Sequence, residues 1–249
     1  MVLLTLSAET ATAGNADEAL RHLGARPFVL PDSELAYRRS LRFSPFERKP
    51  LTRKVFGYYP YWGGDWTRTR FDLLTSLCYL GVAINSDGAI TDRNGWGGAT
   101  ANALVAEAKR WGVKTSVSAI LFSSSGIATL VGDATRRATA IANLVTEVRA
   151  GGGEGVNIDF EFVPVSAKAN FVTFMRELRT RMHSEFPGSE VTIAMPAVDW
   201  SGAYDYDQLV ANSDGLFIMG YGYHWKGGAP GPLAPARSGA TWNAKDLKW

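Results

Sequence analysis

The chain has 249 residues, 46% hydrophobic and 12% aromatic, which suits one large α/β domain or two small ones around a sizeable core. Lys and Arg number 26 and Asp and Glu 24, so the net charge of +2 gives no electrostatic case for nucleic acid or an anionic membrane. The single cysteine, Cys78, excludes an intrachain disulfide; no zinc-ligand spacing, Ser-His-Asp set or Walker-type loop is found, so neither a metal nor a cofactor is expected.

No run approaches the length of a transmembrane helix, and no membrane partner is expected. Val2-Leu3-Leu4-Thr5-Leu6 followed by Ala11-Thr12-Ala13 resembles the end of a secretory signal with an A-x-A-like cleavage site. The apolar run is short and lacks a basic flank, so a disordered N-terminus fits as well. A secreted or cell-envelope location is the expectation that follows. Residues 1–53 are broken by Pro27, Pro31, Pro45 and Pro50 and read as a leader and linker, and 54–249 as the folded domain.

From residue 55 the pattern becomes regular. Val55–Trp62 reads as a strand running into a loop, and Ser76–Ile84 as a second strand that holds Cys78 as a buried thiol and ends at Asn85-Ser86-Asp87-Gly88. Ala99–Trp111 predicts a helix stopped by Gly112, and Val113–Phe122 a third strand. Asp133–Ala150 is helical and closes on Gly151-Gly152-Gly153. Val156–Val163 is the fourth strand. Ala167–Phe186 is a helix with Phe171, Phe174, Leu178 and Met182 at helical spacing. Val191–Ala197, the short helix Tyr206–Asn212 and Gly215–Tyr223 supply the fifth strand, another helix and the sixth strand.

Alternating strands and helices predict parallel βαβ units. Without a GxGxxG turn after the first strand, an open dinucleotide-binding sheet is disfavoured. Polar and aromatic residues collect at strand C-terminal ends, where a (β/α)8 TIM barrel builds its site. Six βα units fit the length, so an incomplete barrel is expected, cut off on its C-terminal side. A monomer is expected.

The fourth strand carries the chemistry. From Val156 to Phe162 apolar and polar residues alternate strictly, placing Asn157, Asp159 and Glu161 on one face. Buried carboxylates without partners are costly, and a structural reading would pair them with barrel arginines. The catalytic reading uses their proximity: two carboxyls about 6.6 Å apart along one strand raise one another's pKa, so one stays protonated near neutrality and serves as a general acid.

Glu154-Gly155-Val156-Asn157-Ile158-Asp159-Phe160-Glu161 resembles the D-x-x-D-x-D-x-E signature of glycoside hydrolase family 18, the chitinases and related N-acetylglucosaminidases. The last two positions match; Glu154 and Asn157 stand where the signature has Asp. The Asn form is similar to the spore-cortex and peptidoglycan-lytic branch. Phe56-Gly57-Tyr58-Tyr59, Ala194-Met195-Pro196-Ala197, Met219-Gly220-Tyr221-Gly222, His224-Trp225 and Pro230-Gly231-Pro232-Leu233-Ala234 resemble further family segments in order, with Gly222 where the family has Asp.

The resemblance implies a glycoside hydrolase that cleaves β-1,4 linkages of N-acetylglucosamine polymers, chitin or peptidoglycan, by substrate-assisted retention. It implies Glu161 as acid, Asp159 and Tyr221 on the acetamido group, and Asn157 holding Asp159 by a hydrogen bond. Tyr58, Trp62, Trp200, Met219 and Tyr223 become substrate-binding candidates. For Trp62, Trp96 and Trp200, core packing and sugar stacking weigh evenly; Tyr221 as a core tyrosine is nearly as good a reading. A non-catalytic glycan-binding barrel is the alternative.

Overall fold

The computed structural model describes residues 50–224, 227, 228 and 230–234. All but the last four residues of the expected leader, along with Trp225, lie outside this range. Chain contacts define two units. The larger holds, among the described residues, 50–195 and 199–217, and the smaller 196–198 and those after 217.

The elements run β1 (Phe56–Pro60), β2 (Ser76–Ile84), β3 (Ile90–Asp92), α1 (Ala99–Arg110), β4 (Lys114–Leu121), α2 (Ser124–Gly132), α3 (Ala134–Gly151), β5 (Gly155–Phe160), α4 (Lys168–Glu185), β6 (Glu190–Pro196), α5 (Tyr206–Ala211) and β7 (Gly215–Met219). The sheet order is β1-β2-β4-β5-β6-β7, with β3 paired only to β2. The β1/β2, β2/β4, β4/β5 and β5/β6 pairings are parallel. Successive strands therefore lie side by side in chain order. A doubly wound sheet would reverse that order part-way, whereas a (β/α)8 barrel keeps it. The described residues hold six strands in the order of such a partial barrel, of which β1, β2, β4, β5 and β6 run parallel.

Local chemistry sets the boundaries. Asp133 caps α3 by accepting from the Arg136 N–H, and Gly152 closes it at φ +66°, a left-handed cap that glycine adopts at little cost. Gly155 starts β5 where a Cβ would meet the Glu190 carbonyl oxygen at 2.3 Å, so only glycine lets β5 and β6 approach this closely. On α4, Phe171, Phe174, Leu178 and Met182 are all buried, as their spacing predicts.

Two elements differ from expectation by being present. β3 folds back antiparallel on β2 through the turn at Asn85–Gly88, and Asn85 Oδ1 accepts from the Asp87 and Ala89 N–H groups. α2 starts at Ser123, whose hydroxyl accepts from the Gly126 N–H, and buries Ile127, Leu130 and Val131. Two strands are shorter than expected. The last ends at Met219 instead of Tyr223, and β5 stops at Phe160 instead of Val163 because Phe162 takes φ +65°.

The two faces of the sheet differ in chemistry. On the outer face Val156, Ile158 and Phe160 are buried, and Phe160 stacks on Phe171 and Phe174 of α4 at 6.1 and 5.7 Å. The inner face carries Ser76 and Cys78 from β2, Ser116 and Ser118 from β4, Asn157 and Asp159 from β5, and Thr192 from β6, all buried. Barrel interiors are usually filled by branched aliphatic side chains. Here small polar groups line the approach to the two carboxyls.

Candidate active site

The site is built on β5 and the turn that follows it. Asn157, Asp159 and Glu161 project from the same face, as the alternation predicts, and all three are buried; Glu161, just beyond the strand end, is 9% exposed. Phe162 leaves the apolar face that its parity predicts. Its positive φ turns the chain, and the ring is 43% exposed, so the alternation ends at Glu161.

The electrostatics follow from burial. Asp159 is 2% exposed, and its Oδ1 finds no hydrogen-bond partner among the described residues. Burial first and the neighbouring Glu161 carboxyl second push its pKa well above the usual carboxylate range. Burial likewise raises Glu161 to about 7. Among the described residues neither carboxyl pairs with Lys, Arg or His, so the ion-pair reading of these two groups is not what the fold uses.

Asn157 corrects one expectation. It does not hold Asp159. Its Oδ1 accepts from the Tyr58 hydroxyl at 3.0 Å and the Ser118 hydroxyl at 3.4 Å, while its Nδ2 donates to Thr192 Oγ1 at 2.9 Å. Residues two apart on a strand stand too far apart for short side chains to bond readily, and neighbours on β1, β4 and β6 are closer. The amide is thus fixed by three strands, and Tyr58, proposed from sequence for substrate, is joined to it.

Two of these partners, Ser118 and Thr192, were not singled out in the sequence, although Ser116 and Ser118 alternate with Val117 and Ala119 on β4 as Asn157 and Asp159 alternate with Ile158 on β5. Cys78 is a buried thiol, as expected; burial pushes its pKa up, a Ser116 hydrogen bond opposes this, and the Asp159 carboxyl adds to it.

The tryptophans separate clearly. Trp96 is core: it is 3% exposed, its indole N–H donates to the Glu147 carbonyl at 2.9 Å, and its ring fills the space beside Gly151. Trp62, after β1, and Trp200, after β6, are exposed, Trp200 by 74%. Met219, Tyr221 and Tyr223 belong to the smaller unit, where the Tyr223 N–H donates to the Leu233 carbonyl at 3.1 Å.

Buried carboxyls at the C-terminal end of a central strand, aromatic residues after β1 and β6, and parallel strands in chain order are what an acid-catalysed glycosidase barrel needs. Residues 54–248 match the model of the family described as "Glycosyl hydrolases family 18". The chain belongs to glycosyl hydrolase family 18.

Family 18 relatives give the comparison scale. The chain is 35% identical over 119 residues to YdhD of Bacillus subtilis strain 168, named as a candidate sporulation-specific glycosylase; the match covers 46% of this chain and 28% of YdhD. It is 25% identical over 179 residues to the cortical fragment-lytic enzyme of Bacillus anthracis, covering 68% of this chain and 40% of that protein. The chain thus spans less than half the length of these curated relatives. Among solved structures, a mutant family 18 chitinase of Cycas revoluta in complex with (GlcNAc)4 superposes with a TM-score of 0.62 at 22% identity, covering 72% of this chain and 59% of that one. That likeness is one of fold.

Proposed function

We propose that this chain is a glycoside hydrolase acting on β-1,4-linked N-acetylglucosamine polymers, chitin or peptidoglycan, by substrate-assisted retention. One observation carries the reading. Glu161 is a carboxyl group held up at about 7 by burial, so near neutrality much of it carries the proton a general acid must give.

Glu161 gives its proton to the glycosidic oxygen as the bond to the anomeric carbon breaks. The acetamido oxygen of the same sugar bonds to that carbon, and the leaving sugar departs as an alcohol. Water then attacks the anomeric carbon from the vacated side as the bond to the acetamido oxygen breaks, and the Glu161 carboxylate takes up a proton from that water. Asp159, deeper in the barrel, orients the acetamido group and faces the positive charge that develops on it. Among the described residues its Oδ1 has no hydrogen-bond partner, which supports this, since a buried carboxyl oxygen left unbonded stands ready for a ligand donor.

The test is Glu161→Gln in the full-length protein, assayed on chitin oligosaccharides and on peptidoglycan. The expected outcome is loss of turnover by at least about a thousandfold with binding retained. Undiminished hydrolysis in that variant would remove Glu161 as the acid.

A further inference from the structure

We infer that Tyr204 is a positioning residue for Glu161: its buried hydroxyl pins the turn that carries the acid. This rests on the proposed role of Glu161. Tyr204 lies 43 residues beyond Glu161 in the chain, between β6 and α5. Its ring is buried edge-on against Phe171, with centroids 6.1 Å apart and planes at 83°. Its hydroxyl donates to the Phe160 carbonyl at 3.2 Å. The hydroxyl therefore holds the backbone of the residue just before Glu161, at the edge of the turn where the strand breaks.

That break is why a pin is needed. Phe162 sits at φ +65°, where a bulky side chain is strained. Its ring is 43% exposed and leaves the apolar face of β5. Glu161 lies beyond the last β5 ladder residue, so the sheet does not fix its backbone. The Phe160 carbonyl is held by Tyr204 instead.

Tyr204 is itself held. Asp199 accepts from the Tyr204 N–H at 2.8 Å, the Ala203 N–H at 3.2 Å and the Ser201 hydroxyl at 2.9 Å. These bonds keep the Asp199 carboxyl below its usual pKa although burial works against them. The loop after β6 is thus a braced strut against the turn after β5. The ionisable groups that face this strut are Glu161, Asp199 and Tyr206 around the phenol, with Asp159 beside Glu161.

The experiment compares Tyr204→Phe with wild type and Glu161→Gln in the full-length protein on a soluble N-acetylglucosamine oligosaccharide. Tyr204→Phe keeps the ring and removes only the pin. A turn that loosens lets water reach Glu161, so its pKa falls toward the ordinary value. The expected result is a kcat about tenfold lower, KM little changed, and a basic limb of kcat/KM displaced to lower pH. A purely structural role would lower the melting temperature and leave the pH profile of the folded enzyme where it was; that result overturns the proposal. Asp199→Asn, one step further along the strut, should displace the limb in the same direction by less. If Glu161→Gln is fully active, the reading of the acid fails; if it is inactive while Tyr204→Phe keeps wild-type kcat and profile, the pin alone fails.

Discussion

A carboxyl group with a raised pKa leaves a mark on stability as well as on rate. Glu161 has an ordinary value of 4.5 and about 7 in the folded protein. The folded state therefore holds the proton more tightly than the unfolded chain. The stability that goes with it is complete below about 4.5 and is lost as pH rises through about 7. Asp159 shifts in the same direction and adds to it. Wild type should accordingly be more stable at pH 5 than at pH 8, by up to a few kcal/mol from Glu161, with Asp159 acting in the same direction. In Glu161→Gln the gain on acidification should shrink, since an amide does not titrate. Thermal melts of both proteins across pH 4–8 check this, and equal gains would mean that Glu161 holds no extra proton in the fold. The activity limb near 7 and this stability slope come from one group, so they should move together in any variant that exposes it.

At the scale of elements, the strength of β5 as a platform comes from its neighbours. Asn157 binds β1 through Tyr58, β4 through Ser118 and β6 through Thr192. Thr192→Val keeps the side-chain volume and deletes the acceptor, leaving a buried amide N–H without it. The expected loss is about 1–3 kcal/mol in urea denaturation. Thr115 offers the control. It is buried on β4 with a hydroxyl that has no hydrogen-bond partner among the described residues, so Thr115→Val should be neutral or slightly stabilising. If both changes cost the same, the Asn157 bond is not what Thr192 contributes. Much of this level was legible in the sequence. Period-two alternation gave the face of β5, and helical spacing gave the buried side of α4. The parts that were not legible have physical reasons. β3 is three residues long, too short for a period. α2 opens with Ser-Ser-Gly, which reads as a loop until Ser123 is seen capping it. The end of β5 was misplaced because a non-glycine residue at positive φ has no sequence signature. Tyr204 was invisible because its bond to Phe160 spans 44 residues.

In the larger unit as a whole, chemistry and cohesion occupy opposite ends of the strands. Strand order was legible from alternation together with the missing GxGxxG turn and the polar strand ends, and with it the end at which carboxyls would gather. The other end was not, because its bonds join residues far apart in sequence. There Glu190, at the start of β6, accepts from the Ser76 hydroxyl at 3.2 Å and pairs with Lys54 at 2.9 Å and Lys114 at 3.6 Å. One carboxylate thus ties the starts of β2, β4 and β6 and the segment leading into β1. Glu190 is level with Gly155 in the β5/β6 register, six residues before Glu161, which is about 20 Å of extended chain. Glu190→Ala should therefore weaken the fold without touching catalysis. The pairs are partly solvated, so the expected loss is about 1 kcal/mol, reduced further at high salt. Denaturant titrations at low and high ionic strength measure it, and kcat/KM on an N-acetylglucosamine oligosaccharide should stay at the wild-type value. A fall in kcat/KM with unchanged stability would mean that the two ends are coupled and that the barrel does not insulate its acid from the strand starts.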